Sequence, residues 1–175
     1  MTVENLPRRQ FLRGKFLASL HTKNEQIQGF EGIRPPWAVS NKEFVEQCTR
    51  CRDCIEICET QILIEGDGGF PEVRFDKGEC TFCRKCVEVC RQPIFRPLEE
   101  LPWTHKINIG ANCLARQHIE CRSCQDNCSM NAIRFRLQIG GVARPTVNLE
   151  SCNGCGACIQ SCPVNAIEIS NFKAE

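Results

Sequence analysis

Residues 152–163 read Cys-Asn-Gly-Cys-Gly-Ala-Cys-Ile-Gln-Ser-Cys-Pro, a C-x2-C-x2-C-x3-C-P run. Three thiols two residues apart let one tight loop wrap a compact inorganic core and reach three of its metals. The fourth thiol, three residues on, points away towards a second core. Gly154 and Gly156 relieve crowding, so backbone N–H groups can approach inorganic sulfide. Pro163 is expected to stop the short helix that carries Cys162. This is the spacing of a bacterial-type 4Fe–4S ligand run, and the chain uses it repeatedly.

Cys48, Cys51, Cys54 and Cys58 have the same spacing, and so do Cys80, Cys83, Cys86 and Cys90, a repeat of 32 residues from Cys48 to Cys80. A further copy is irregular: seven residues separate Cys113 from Cys121, and Cys124 and Cys128 follow at normal spacing. Only the first loop is lengthened, so Cys113 is expected to remain a ligand, with His118 as the candidate substitute. The chain therefore holds 16 cysteines in 175 residues, a density typical of disulfide scaffolds and metalloproteins. Disulfides require an oxidising compartment and normally a cleavable signal. Zinc favours separated C-x2-C pairs, often with histidine, and only His21, His105 and His118 are available. Triple C-x2-C-x2-C runs do not suit one tetrahedral ion, which leaves iron–sulfur as the preferred chemistry.

Repeats of one unit dominate the architecture. In two-cluster ferredoxins each fourth cysteine serves the neighbouring cluster. That rule assigns one cluster to Cys48, Cys51, Cys54 and Cys90, and its partner to Cys80, Cys83, Cys86 and Cys58. In the second half, Cys152, Cys155, Cys158 and Cys128 hold one cluster, and Cys113, Cys121, Cys124 and Cys162 hold the other. The expected cofactors are thus four 4Fe–4S clusters. Only Cys162 is followed by proline, whereas Glu59, Arg91 and Ser129 follow the other terminal cysteines. Clusters served by those three are expected to be more exposed to water.

The expected fold class is α+β: tandem bacterial two-cluster ferredoxin-like units built of short helices and β-hairpins. Residues 1–36 form a basic tail and linker, 37–100 the first unit and 101–175 the second. Strands are predicted at 61–65 and 72–75 around a glycine turn, at the edge segment 93–98, and at 132–137, 145–149 and 166–169. Residues 99–112 read as a connector. Trp37, after Pro35-Pro36, is expected to cover the first cysteine module. Arg8, Arg9, Arg13, Lys15 and Lys23 against Glu4 make the first 24 residues basic. The stretch Arg8-Arg9-Gln10-Phe11-Leu12-Arg13 is similar to a twin-arginine export signal. His21 and Lys23 cut its apolar region short, which favours a basic amphipathic helix with Leu12, Phe16 and Leu20 on one face.

No run of 18 apolar residues is present, so no membrane span is expected. A net charge of +1 argues against nucleic acid as the primary partner. No glycine-rich phosphate loop or nucleophile motif is present, and the chain is not expected to be an enzyme. Much of so thin a core must be held by metal ligation.

Several stretches outside the bare cysteine spacing resemble one family. They are the Arg8-Arg9 start, Gly32-Ile33-Arg34-Pro35-Pro36-Trp37, Cys48-Thr49-Arg50-Cys51, the stretched Cys113–Cys121 gap, Cys121-Arg122-Ser123-Cys124-Gln125-Asp126 and Cys152-Asn153-Gly154-Cys155-Gly156-Ala157-Cys158. The chain resembles the NapF family, the ferredoxin-type proteins of the periplasmic nitrate reductase system. The resemblance implies a cytoplasmic protein with several 4Fe–4S clusters. It also implies interaction with the catalytic molybdenum subunit, NapA, and assistance in maturing that subunit's own 4Fe–4S centre before export. The alternative is an electron-transfer polyferredoxin supplying the same system, and a zinc-binding interaction module is the remaining competitor.

Overall fold

In a computed structural model, the described residues are 32–170. The basic helix and the twin-arginine-like stretch expected in residues 1–24 lie outside them. The described part contains five short helices, α1 Asn41–Gln47, α2 Asp53–Glu56, α3 Lys85–Glu88, α4 Ser123–Asp126 and α5 Ala157–Gln160. Six strands, β1 Leu63–Glu65, β2 Pro71–Val73, β3 Lys106–Ile109, β4 Ile133–Gln138, β5 Gly141–Val147 and β6 Ile167–Ser170, pair antiparallel as β1–β2, β3–β6 and β4–β5. The class is α+β, as the sequence predicts.

Helices α2 to α5 each occupy four residues and end two residues before the terminal cysteine of their module. Proline is not what stops α5, because α2, α3 and α4 stop at the same place without one. After Cys58, Cys128 and Cys162 the chain reverses through a left-handed residue: Gln61 at φ 53°, Asn131 at 50° and Asn165 at 48°. The N–H of each donates to the carbonyl of that cysteine, at 3.0, 2.9 and 3.3 Å. Single-turn helices have no independent stability, so packing and ligation must hold them.

Two segments were not anticipated. Helix α1 starts with a capping box in which the Glu43 N–H donates to the Ser40 hydroxyl and the Ser40 N–H donates to the Glu43 carboxylate. The Ser40-x-x-Glu43 pattern was its available signal. Its Phe44 is fully buried with Phe70 and Ile94, and the Arg34 guanidinium lies 5.0 Å from the Phe44 ring centroid. The second is β3, inside the segment read as a connector. Ile107 and Ile109 alternate with Lys106 and Asn108, and both isoleucines are buried, paired beside Ile169 and Ile167 of β6.

The edge strand expected at 93–98 is absent. Pro93 and Pro97 bracket it, and only Phe95 forms a bridge, with Ala38. The first hairpin is also shorter than expected, since Gln61 is left-handed and pairing stops at Val73. Residues 32–36 are not a free linker, because Ile33 bridges to Val73. Trp37 meets the second module rather than the first, its ring edge-on to Phe82 with centroids 6.1 Å apart.

Three small apolar clusters form the core. The second-half cluster contains Ile107, Ile109, Ile133, Ala166 and Ile167 with Cys113, Cys124 and Cys158. In the first half, Ile62, Leu63, Val73 and Phe75 surround Cys86, and Trp103 joins them from beyond residue 100. The cysteines are thus part of the core, so what binds them decides how well it is filled. No helix among the described residues is long and apolar enough to cross a membrane.

Candidate metal centres

None of the sixteen cysteines is paired in a disulfide. The structure brings them together in crossed sets. Cys58 joins Cys80, Cys83 and Cys86 around one cavity. Cys128 joins Cys152, Cys155 and Cys158 around a second. Cys162 joins Cys113, Cys121 and Cys124 around a third. Cys48, Cys51 and Cys90 lie close enough to Cys54 to act on its charge. The crossing follows from packing: α2 lies on α3 and α4 on α5, so each helix directs its terminal cysteine into the neighbouring loop.

Cys113 is buried and lines its cavity despite the lengthened loop, whose turns are closed by Gln117 N–H donating to the Cys113 carbonyl at 3.0 Å. His118, the candidate substitute, is not among the residues lining that cavity. Among the described residues, no group of three or more His, Cys, Asp or Glu converges tightly enough to grip one bare ion. Each of the three cavities is instead ringed by four thiols, a geometry suited to a polynuclear core rather than to zinc.

The loops achieve this with left-handed residues. Two residues after the first cysteine stand Arg50, Phe82 and Gly154, at φ 57°, 54° and 77°. One residue after the second stand Arg52, Arg84 and Gly156, at 72°, 66° and 84°. The role given to Gly154 and Gly156 is thus filled by side-chain-bearing residues elsewhere, at about 1–2 kcal/mol each. What sets the two glycines apart is crowding. A Cβ on Gly154 would lie 2.7 Å from His105 Nε2, and one on Gly156 would lie 2.0 Å from the Phe75 ring.

The contact between Gly156 and Phe75 joins the two halves. The Cys80 N–H donates to the Cys155 carbonyl at 2.9 Å, and the Gln160 amide donates to the Lys77 carbonyl at 3.1 Å. His105 is buried beside Trp103, 4.8 Å between ring centroids, and its Nε2 lies 3.0 Å from the Gly154 carbonyl. Burial lowers the His105 pKa, so the ring is neutral near pH 7 and Nε2–H is the donor. Lys106 donates to the Cys152 carbonyl. His105 and Lys106, at the start of β3, therefore hold the 152–155 loop, a role with no signal in the cysteine pattern.

Burial and neighbouring thiolates push Cys54, Cys80, Cys86 and Cys158 up to about 12 and Cys124 to about 11, burial being the larger cause. Thiols with raised pKa stay protonated at pH 7, yet iron binds thiolate. Loading must therefore release protons, and its apparent constant is expected to rise with pH through the neutral range. Reconstitution in weak buffer with a pH-stat is expected to record close to one proton per liganding thiol beyond those that the added hydrosulfide releases. Backbone N–H groups already face sulfur: Phe82 to Cys80 at 3.4 Å, Ala132 to Cys128 at 3.3 Å and Ala166 to Cys162 at 3.2 Å. Such donors stabilise the anionic form and tune a bound cluster. Exposure tracks the middle loop cysteine, Cys51 and Cys83 being exposed and Cys121 and Cys155 half-buried. Of the three sets expected to be more exposed, those served by Cys58 and Cys90 carry an exposed thiol and that served by Cys128 does not.

Two family models match, each described as a 4Fe–4S dicluster domain, over residues 35–94 and 119–166. With the short helices, small sheets and cysteine loops, they define an iron–sulfur protein of the ferredoxin type. The chain is 67% identical to the ferredoxin-type protein NapF of Haemophilus influenzae over 173 residues, 99% of this chain and 98% of that one. It is 48% identical to the ferredoxin-type protein NapF of Escherichia coli over 136 residues, 78% of this chain and 83% of that one. A more distant relative is the methylamine utilization ferredoxin-type protein MauM of Methylorubrum extorquens, 25% identical over 150 residues, 75% of this chain and 68% of that one. No solved structure matches the chain at a significant level. The chain belongs to the NapF family of ferredoxin-type proteins.

Proposed function

We propose that the chain carries four 4Fe–4S clusters on its sixteen cysteines, in the crossed sets described above, in two units spanning 37–100 and 101–175. It binds the catalytic molybdenum subunit of periplasmic nitrate reductase, NapA, in the cytoplasm. There it assists assembly of that subunit's 4Fe–4S centre before export, and it is not itself an enzyme. The observation that carries this reading is family membership along almost the entire chain, including the stretches outside the cysteine runs. Exposed Cys51 and Cys83 are compatible with it, since clusters that serve a partner must be reachable.

The electron-supply reading has its own support. Cys86 acts on Cys54, Cys155 on Cys80 and Cys124 on Cys158, so neighbouring sets approach one another in an unbroken series. Such continuity suits electron movement and is not required for delivering a cluster. Purifying the catalytic subunit from cells lacking this protein separates the two readings. A cluster-deficient subunit supports maturation, and a fully loaded subunit starved of electrons supports supply.

A further inference from the structure

Hairpin β4–β5 departs from its counterpart in the first half. The pairs Leu63–Val73, Ile64–Glu72 and Glu65–Pro71 complete β1–β2. Hairpin β4–β5 begins with the matching pairs Ile133–Val147, Arg134–Thr146 and Phe135–Pro145, then continues through Arg136–Arg144 to Gln138–Gly141. The first half shows that the shorter hairpin suffices for a unit of two cysteine sets, so the extension serves something else. Strand alternation puts Arg134, Arg136, Arg144 and Thr146 on one face, while Ile133, Ala143 and Pro145 are buried on the other. The matching positions of the first hairpin hold Ile64 and Glu72, so the positive charge belongs to the second half alone.

All three arginines are exposed. Arg136 and Arg144 stand directly opposite each other, a placement that costs stability for like charges. None of the three takes part in an ion pair among the described residues. Arg134 and Arg136, with Asn131, Thr146 and Asn148, line a broad open concavity. Uncompensated cations on a concave surface call for an anionic occupant.

Same-face residues on a strand recur about every 6.6 Å, and an extended acidic polypeptide presents its alternate carboxylates at that interval. Three arginines without an acyl chain or an apolar helix face make a weak membrane anchor. A net charge of +1 does not favour nucleic acid. We propose that the outer face of β4–β5 docks an acidic, extended segment of a partner protein, its carboxylates on Arg134, Arg136 and Arg144. This holds whichever protein supplies the segment.

The test uses the full-length, cluster-loaded protein and a fluorescent peptide of alternating glutamate and valine, read by anisotropy. Its lysine–valine counterpart, phosphatidylglycerol vesicles and a single-stranded oligonucleotide serve as comparison probes. The native protein is expected to bind the acidic peptide with an affinity that falls as salt rises. Arg136→Glu is expected to weaken binding about tenfold or more, and Arg136→Gln by less. The melting temperature of Arg136→Glu is expected not to fall, because attraction to Arg144 replaces repulsion. Equal binding by native protein and Arg136→Glu overturns the proposal. So does absent peptide binding, or tighter binding of vesicles or oligonucleotide that is lost on the same substitution. If the peptide binds but the catalytic subunit does not, the partner named under the proposed function falls and this face stands.

Discussion

Replacing Cys58 by serine is expected to remove the cluster of Cys80, Cys83 and Cys86, not that of its own run, Cys48, Cys51 and Cys54. The reason is geometric: Cys58 lines the cavity of the second run, and Cys90 lies beside Cys48 and Cys51 of the first. Iron content is expected to fall by about a quarter, from about sixteen to about twelve per chain, with the other three sites loaded. Cys90→Ser is the reciprocal experiment and should spare the second run. Selective labelling of thiols after anaerobic purification reads both variants directly. If Cys58→Ser leaves Cys48, Cys51 and Cys54 reactive and Cys80, Cys83 and Cys86 protected, the crossing is wrong.

That prediction was already legible in the sequence, because C-x2-C-x2-C-x3-C fixes where four thiols can point within a dozen residues. Retention of Cys113 at its cavity was legible too, since lengthening one loop does not alter the directions of Cys121 and Cys124. What joins the modules was not. The Phe75–Gly156 contact, the Cys80–Cys155 hydrogen bond and His105 beneath the 152–155 loop all link residues far apart in sequence. Such contacts leave no periodicity or spacing to read. Strand β3 was missed because Lys106–Ile109 is only four residues long and follows Pro102-Trp103, where a connector is the ordinary reading. The segment at 93–98 failed in the opposite sense: its apolar residues suggested pairing, but two prolines leave too few donors for more than one bridge.

The second large effect is expected at Gly156. An alanine Cβ there would lie 2.0 Å from Phe75 Cδ1 and 2.4 Å from Cγ, at φ +84°. Overpacking costs about 1–3 kcal/mol and the left-handed backbone about 1–2 kcal/mol, so Gly156→Ala is expected to destabilise the loaded protein by about 2–5 kcal/mol. Two controls separate those causes. At Gly140, φ +67°, nothing lies within 4 Å of an added Cβ, so Gly140→Ala isolates the backbone cost. Phe75→Ala combined with Gly156→Ala removes the clash and should recover part of the loss, leaving the cavity once filled by the ring. Chemical denaturation followed by cluster absorbance under anaerobic conditions measures all three variants. Equal losses at Gly140 and Gly156 would mean that the Phe75 contact contributes nothing to the junction.

The central claim is that sixteen thiols hold four cubane clusters. Iron and acid-labile sulfide analysis of anaerobically purified protein, with Mössbauer spectroscopy to identify the cluster type, tests it most directly. The expected result is about sixteen irons and an equal amount of sulfide per chain, all in 4Fe–4S form. Zinc without sulfide, or iron for only two clusters at full occupancy, would contradict it.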